Sequence, residues 1–180
     1  MKRLPLTVPL GHREAPSDFL SRLAVRNCIR DMRTLAHDLH LDVQAVICGE
    51  SAALARLAEA GAADQAALER EAFAGSPRGI SIFHRAHKFS RTIQLTRNQV
   101  RICPACFRED LDAQSFQAEA RPYRRAHWII SQIKTCERHH LALAPLGGWP
   151  PPASRSIRAL SLRAPYACCR SSRPRPSNAR

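Results

Sequence analysis

Ile102-Cys103-Pro104-Ala105-Cys106 and Thr135-Cys136-Glu137-Arg138-His139 decide how this sequence is read. Their spacing is C-x2-C-x29-C-x2-H. Two residues between Cys103 and Cys106 let both thiolates turn toward one point, with Pro104 helping to set the turn. Cys136 and His139 can do the same, completing a tetrahedral Cys3His set that suits Zn²⁺. Four protein ligands leave no position for a reactive water, so the site reads as structural. Such a site contributes about 10 kcal/mol or more of metal-linked folding free energy. His140 in place of His139 would make the second half C-x3-H, and that alternative stays open. A CxxC can also be a redox dithiol, but no βαβ pattern surrounds this one. A zinc hydrolase needs an open metal position and an acid or base beside it, and no HExxH is present.

Between the two halves runs Arg121-Pro122-Tyr123-Arg124-Arg125-Ala126-His127-Trp128-Ile129-Ile130-Ser131-Gln132-Ile133. Trp128, Ile130 and Ile133 are placed to line a strand beside the metal. Arg121, Arg124 and Arg125, with Tyr123 interleaved, form a candidate phosphate-contacting edge; a solvated charged loop accounts for the same residues. Glu109 and Asp110 read as groups supporting the knuckle or lying at the surface. His12, His37, His40, His84, His87 and His127 read as surface or core residues, and Cys28 and Cys48 as buried thiols on apolar helical faces.

Farther out, Ser17 offers an N-cap to a helix that places Phe19, Leu20 and Leu23 on one face, with Asn27 as the expected left-handed stop. Ile29, Met32, Leu35, Ala36 and Leu39 then recur at helical spacing. The pair is either a helix-turn-helix or an ordinary αα-hairpin. Residues 50–75 are Ala-rich and helical, with Gly61 and Gly75 suited to helix ends. Ile80/Ile82 and Ile93/Leu95 alternate like short strands.

The whole chain has 180 residues, net charge +13 and only 6% aromatics. No apolar run approaches the ~18 residues of a membrane span, and 44% hydrophobic content supports a packed core. The charge is uneven: residues 41–76 are net −4, residues 77–146 net +7, and residues 147–180 hold seven arginines and no acid. That last stretch, with Pro150-Pro151-Pro152, Pro165, Pro174 and Pro176, reads as a disordered tail. The N-terminus lacks the apolar stretch of a signal peptide, and seven unevenly spaced cysteines do not make a disulfide framework. The expected compartment is the cytoplasm.

Three stretches together resemble the TniQ family, found with Tn-type transposons and CRISPR-associated transposition systems. The first is Leu4-Pro5-Leu6 leading into Ser17-Asp18-Phe19-Leu20-Ser21-Arg22-Leu23-Ala24 and Asn27. The second, Arg101-Ile102-Cys103-Pro104-Ala105-Cys106-Phe107-Arg108-Glu109-Asp110, is similar to the family's YCPxCLxED segment. The third, His127-Trp128 followed by Cys136-Glu137-Arg138-His139 and Leu141, is similar to its HW…CxxHxxxL segment. The resemblance implies zinc at Cys103, Cys106, Cys136 and His139, and a non-catalytic adaptor that selects a transposition target. Such adaptors engage DNA or an RNA-guided complex, recruit an ATPase regulator of the transposase, and in some cases form homodimers. Departures are Phe19 for the usual Trp or Tyr, Cys28 where many relatives have Gly, and the Pro/Arg/Ser tail. Cys168-Cys169 in that tail are too close together for a CxxC. The tail's composition resembles a GC-rich frame translated out of phase, giving the expectation of a truncated or frameshifted member.

The sequence therefore predicts an α+β protein: a TniQ-like domain over 1–146 and a disordered tail over 147–180. Within the domain, 1–76 is the helical part and 77–146 the zinc-binding, knuckle- or ribbon-like part. The expected function is a zinc-stabilised DNA-targeting adaptor, the alternative a protein-protein adaptor without direct DNA binding.

Overall fold

Pro16, whose ring presets φ for a first helical turn, opens α1 (Pro16–Arg26) behind Ala15 at the N-cap. Ser17, expected at the cap, lies one residue inside the helix instead. The computed structural model describes residues 3–75, 81–85, 87–90, 95–96, 99–113 and 118–146. The Pro/Arg/Ser tail with Cys168-Cys169, the strand positions Ile80 and Ile93, and Arg78, Arg91 and Arg97 lie outside the described residues.

α1 is the axis of the helical half. Phe19, Leu20, Leu23 and Ala24 are at most 1% exposed. Around it close α2 (Met32–Asp38), α3 (Val43–Ile47), α4 (Ser51–Gly61) and α5 (Gln65–Glu71). Leu35, Ala36, Val46, Leu54, Leu57 and Leu68 complete one apolar cluster. The anticipated two-helix unit is thus part of a five-helix cluster, and α3, five residues long, makes less than two turns. These helices are too short to persist alone, so capping and tertiary burial hold them. Asp31, Asp42 and Asp64 each accept backbone N–H donors at the start of α2, α3 and α5.

The stop after α1 differs from expectation. Asn27 has φ −94°, and it is Cys28 that takes the left-handed conformation, φ 57°. The Asn27 side chain instead ties the N-terminal segment down. Its amide donates to the carbonyls of Leu6 (2.7 Å) and Leu23 (2.8 Å), and its oxygen accepts from the Leu6 N–H (3.3 Å). Gly61 ends α4 in helical conformation rather than stopping it, because Ala62 takes the left-handed cap, φ 53°. A Cβ at Gly61 would lie 2.6 Å from the Phe19 ring, so its small size serves helix–helix approach. Gly75 belongs to a strand.

Beyond α5 the chain turns to short antiparallel pairs. β1 (Ala74–Gly75), β2 (Ser81–His84) and β3 (His87–Ser90) form a sheet in that order, with Ile82 opposite Phe89. β4 (Arg101–Ile102) pairs with β5 (Ala144–Pro145), placing the two ends of the knuckle side by side. Between them lie α6 (Pro104–Asp112) and the 3-10 turns Ala118–Ala120 and Ala126–Ile129. The expected strand through Trp128 is that second 3-10 turn. It sends Trp128 toward the cysteines, and Ile129 and Ile130 toward Ala15, Phe73 and Ile82.

The helical and knuckle halves are stitched together. Residues 13–15 run antiparallel to residues 124–126, with Ala126 N–H donating to the Arg13 carbonyl at 2.7 Å and Ala15 N–H to Arg124 at 3.4 Å. Ala120, from the knuckle half, is buried in the helical cluster. Among the described residues no helix is long and apolar enough to cross a membrane.

Candidate metal centre

α6 begins immediately after Cys103, and Pro104 occupies its first turn. This places Cys103 at the N-cap and Cys106 within the first helical turn, so both thiols face the same point. The second half comes from a turn in which Cys136 N–H donates to the Leu141 carbonyl (2.8 Å) and His140 N–H to the Cys136 carbonyl (2.9 Å). His140 takes the left-handed conformation there, φ 54°, and its side chain is exposed. His139 turns inward.

Cys103, Cys106, Cys136 and His139 thus converge, with their donor atoms all within 4.8 Å of one another. The Cys106 and Cys136 sulfurs are 3.6 Å apart, and His139 Nδ1 lies 3.5, 3.3 and 3.7 Å from the sulfurs of Cys103, Cys106 and Cys136. A tetrahedral Zn²⁺ with ordinary bond lengths has S···S edges of about 3.8 Å and S···N edges of about 3.6 Å. The donor set therefore fits zinc in type, number and spacing, with His139 rather than His140 as the fourth donor. The three cysteines are buried and His139 is partly buried, with Trp128 and Ile102 packed against the group.

The thiols also show what a cation would have to overcome. Burial pushes the Cys106 thiol up to about 12. At Cys136 burial acts the same way, but hydrogen bonds from the backbone N–H groups of His139 and Arg138 outweigh it and hold the thiol at about 7. A divalent ion among the sulfurs would deprotonate them all, so its binding releases protons.

Four charged residues near the donors, Glu109, Arg138, Glu137 and Arg101, have defined partners. Glu109 Oε1 lies 2.9 Å from His139 Nε2, and its Oε2 is 3.0 Å from Arg138. Glu137 pairs with Arg13, joining the knuckle turn to the helical half. Arg101, in β4, donates to the carbonyls of Trp128 and Ile130 (2.7 Å each) and Ile133 (3.0 Å), fixing the segment that carries Trp128. This use of Arg101 was not visible in the sequence, since a basic residue before a CxxC gives no sign that it will be spent on carbonyls.

The three arginines expected at a phosphate-contacting edge are placed differently from one another. Arg125 is buried in a two-point pair with Asp110 (2.6 and 2.9 Å), its guanidinium 4.2 Å from the Tyr123 ring centre and 4.9 Å from that of Trp128. Arg124 reaches Asp18 on α1 at 3.1 Å and is mostly covered. Arg121 is half-buried and donates to the Leu111 carbonyl at 2.7 Å. Tyr123 stands between Arg125 and Arg22, and its hydroxyl accepts from the His12 N–H at 2.9 Å. Arg22 in turn holds the buried Glu14 carboxylate at 2.6 Å and donates to the Ala120 carbonyl at 2.7 Å. A chain of charges thus runs from α6 to α1. Its members Arg22 and Asp110 lie in the first and second resembling stretches, and Tyr123 and Arg125 lie just before the third.

The family model for TniQ matches residues 5–143 of the 180-residue chain. No curated protein and no solved structure matches it.

Proposed function

The chain belongs to the TniQ family, which is associated with transposition target selection, and on that premise we propose that it is a zinc-stabilised, non-catalytic adaptor that engages target DNA and recruits the transposition machinery. The convergence of Cys103, Cys106, Cys136 and His139 carries the zinc part of this reading. These four residues would hold Zn²⁺, which supplies folding energy to a half of the chain whose strands are two to four residues long. A closed four-donor set offers no open position for substrate or water, which supports a structural rather than a hydrolytic role. An ATPase regulator of the transposase is the proposed protein partner, with an RNA-guided complex and a second copy of the chain as further candidates. The cytoplasm is the proposed compartment.

Elemental analysis of the purified chain tests the metal. One zinc per chain is expected, and zinc retained stoichiometrically by the Cys103→Ser, Cys136→Ser double variant would refute the site. For DNA, the test is the salt dependence of duplex binding. An interface neutralising several phosphates loses affinity steeply between about 50 and 200 mM salt.

A second reading, a protein-binding adaptor without direct DNA contact, is favoured by the inward commitment of Arg124 and Arg125 to Asp18 and Asp110. Phosphate contact at that edge would compete with both carboxylates. The two readings separate on substitution. Under the DNA reading, Arg121→Ala weakens duplex binding and lowers the salt slope by about one. A flat slope, or no binding, supports the second.

A further inference from the structure

The Glu-Asp pair that follows the first two cysteines divides its work. Asp110 turns to Arg125 and belongs to the charge chain that reaches α1. Glu109 turns the other way. It lies three residues after Cys106 on α6, so the helix that delivers one sulfur donor brings this carboxylate to the same side. Its Oε1 is 2.9 Å from His139 Nε2, while His139 Nδ1 faces all three sulfurs at 3.3 to 3.7 Å. Arg138 holds the other carboxylate oxygen at 3.0 Å.

We propose that Glu109 is the positioning residue of the metal centre, accepting the Nε2–H of His139 so that the imidazole is locked in the tautomer that presents Nδ1 to the ion. An imidazole has one proton and two nitrogens, and a hydrogen bond at one decides which is left to coordinate. The exposed neighbour His140, in the same turn, has no carboxylate at hydrogen-bond distance among the described residues, so Glu109 also selects which of two adjacent histidines is the ligand. Arg138 limits the carboxylate to one approach. Glu109 touches neither sulfur nor ion; it acts through His139. This inference rests on the zinc reading.

The experiment measures metal affinity of the full-length chain by competition with a chromophoric chelator, using Zn²⁺ and then Co²⁺. Glu109 is half-exposed, so its replacement leaves the apolar core intact. Glu109→Ala is expected to weaken zinc binding by about 10- to 100-fold and to alter the visible d–d absorption of the cobalt form. Glu109→Gln retains an acceptor oxygen and is expected to recover affinity to within about threefold of the parent. Nitrogen-15 spectra of the zinc form should show His139 protonated at Nε2 and ligated through Nδ1. Unchanged affinity and an unchanged cobalt spectrum in Glu109→Ala would overturn the assignment, as would ligation through Nε2. Failure of the parent chain to take up either metal would overturn the zinc reading itself, and the positioning role with it. A parent that binds normally beside an indifferent Glu109→Ala variant would sink this inference alone.

Discussion

At Cys28 the backbone adopts φ 57°, a region that costs an L-residue about 1–2 kcal/mol and glycine little. The resemblance drawn from the sequence marked this position as a departure, Cys28 where Gly is expected, and placed the left-handed residue at Asn27. The spacing of apolar residues locates a helix end to within a residue or two; it does not say which residue turns over. Cys28→Gly is expected to stabilise the chain by about 0.5–1 kcal/mol once the greater freedom of glycine in the unfolded state is discounted. Thermal or urea unfolding of the two proteins side by side checks this.

Two buried ionisable side chains act in opposite directions across one pH window. Burial pushes the Glu14 carboxyl from its ordinary 4.5 up to about 7, against the pull of Arg22. Its stabilising contribution is therefore full below about 4.5 and lost as pH rises through 7. Burial holds His127 at about 4 instead of 6.5, so its contribution is full above 6.5 and lost as pH falls through 4. The two slopes offset each other in the parent. Relative to it, Glu14→Gln is expected to gain stability as pH rises from about 4.5 to 7, and His127→Gln to lose it from about 4 to 6.5. Either trend is worth at most about 3 kcal/mol. Urea titrations at a series of pH values, with zinc in excess throughout, give the differences directly. Parallel profiles for all three proteins would contradict both assignments.

Among the elements, the helices were the most legible and the 3-10 turns the least. The recurrence of Phe19, Leu20, Leu23, Leu35, Leu54, Leu57 and Leu68 survives because these residues are buried, whereas Ile29 falls before α2, and Ile29, Met32 and Leu39 are only partly buried. Trp128, Ile129 and Ile130 gave no such signal. Three apolar residues in a row fit a buried strand as well as a tight turn whose side chains part toward two clusters. What settles the matter is Arg101, twenty-seven residues before Trp128, whose guanidinium collects the carbonyls of Trp128 and Ile130. No local pattern carries that information. The caps were not read either: Ser17, the one expected, lies inside α1, while Asp31 accepts the N–H groups of Arg33 and Thr34 at 3.0 and 2.9 Å. Asp31→Ala is expected to cost about 1 kcal/mol by loosening α2, seven residues long and dependent on its cap. Amide exchange should rise first in residues 32–38.

For the molecule as a whole, the convergence of three cysteines and a histidine was readable from spacing because each end is local: two short motifs, each making one turn. The interval between them was not readable, since its course is fixed by charge pairs to a distant helix. The run of arginines around Tyr123 read as a phosphate-contacting edge or a solvated loop; in the fold Arg124 pairs with Asp18 and Arg125 with Asp110. Composition counts charges without revealing which are already matched. On the zinc reading, stripping the metal with a strong chelator is expected to disorganise the surroundings of Trp128 before the helices melt, because the sulfurs, Ile102 and Trp128 form a cluster separate from the helical one. Near-ultraviolet and far-ultraviolet circular dichroism, followed in one titration, should separate the two stages. Coincident loss would instead show that the stitch at residues 13–15 transmits the damage at once.

That same stitch sets an order of events during synthesis. The Arg13 carbonyl waits for the amide of Ala126, so the partner of one of the earliest segments leaves the ribosome about 110 residues later. The five helices can gather long before then, with Glu14 held by Arg22 and the Gly11 N–H and with Ala15, Phe73 and Ile82 still uncovered. Completion waits for Ala144–Pro145, the strand that pairs with β4, shortly after His139 has joined the three cysteines. A nascent chain halted short of that point leaves Ala15, Phe73 and Ile82 without the cover of Ala126, Ile129 and Ile130, an apolar face that favours association with other chains.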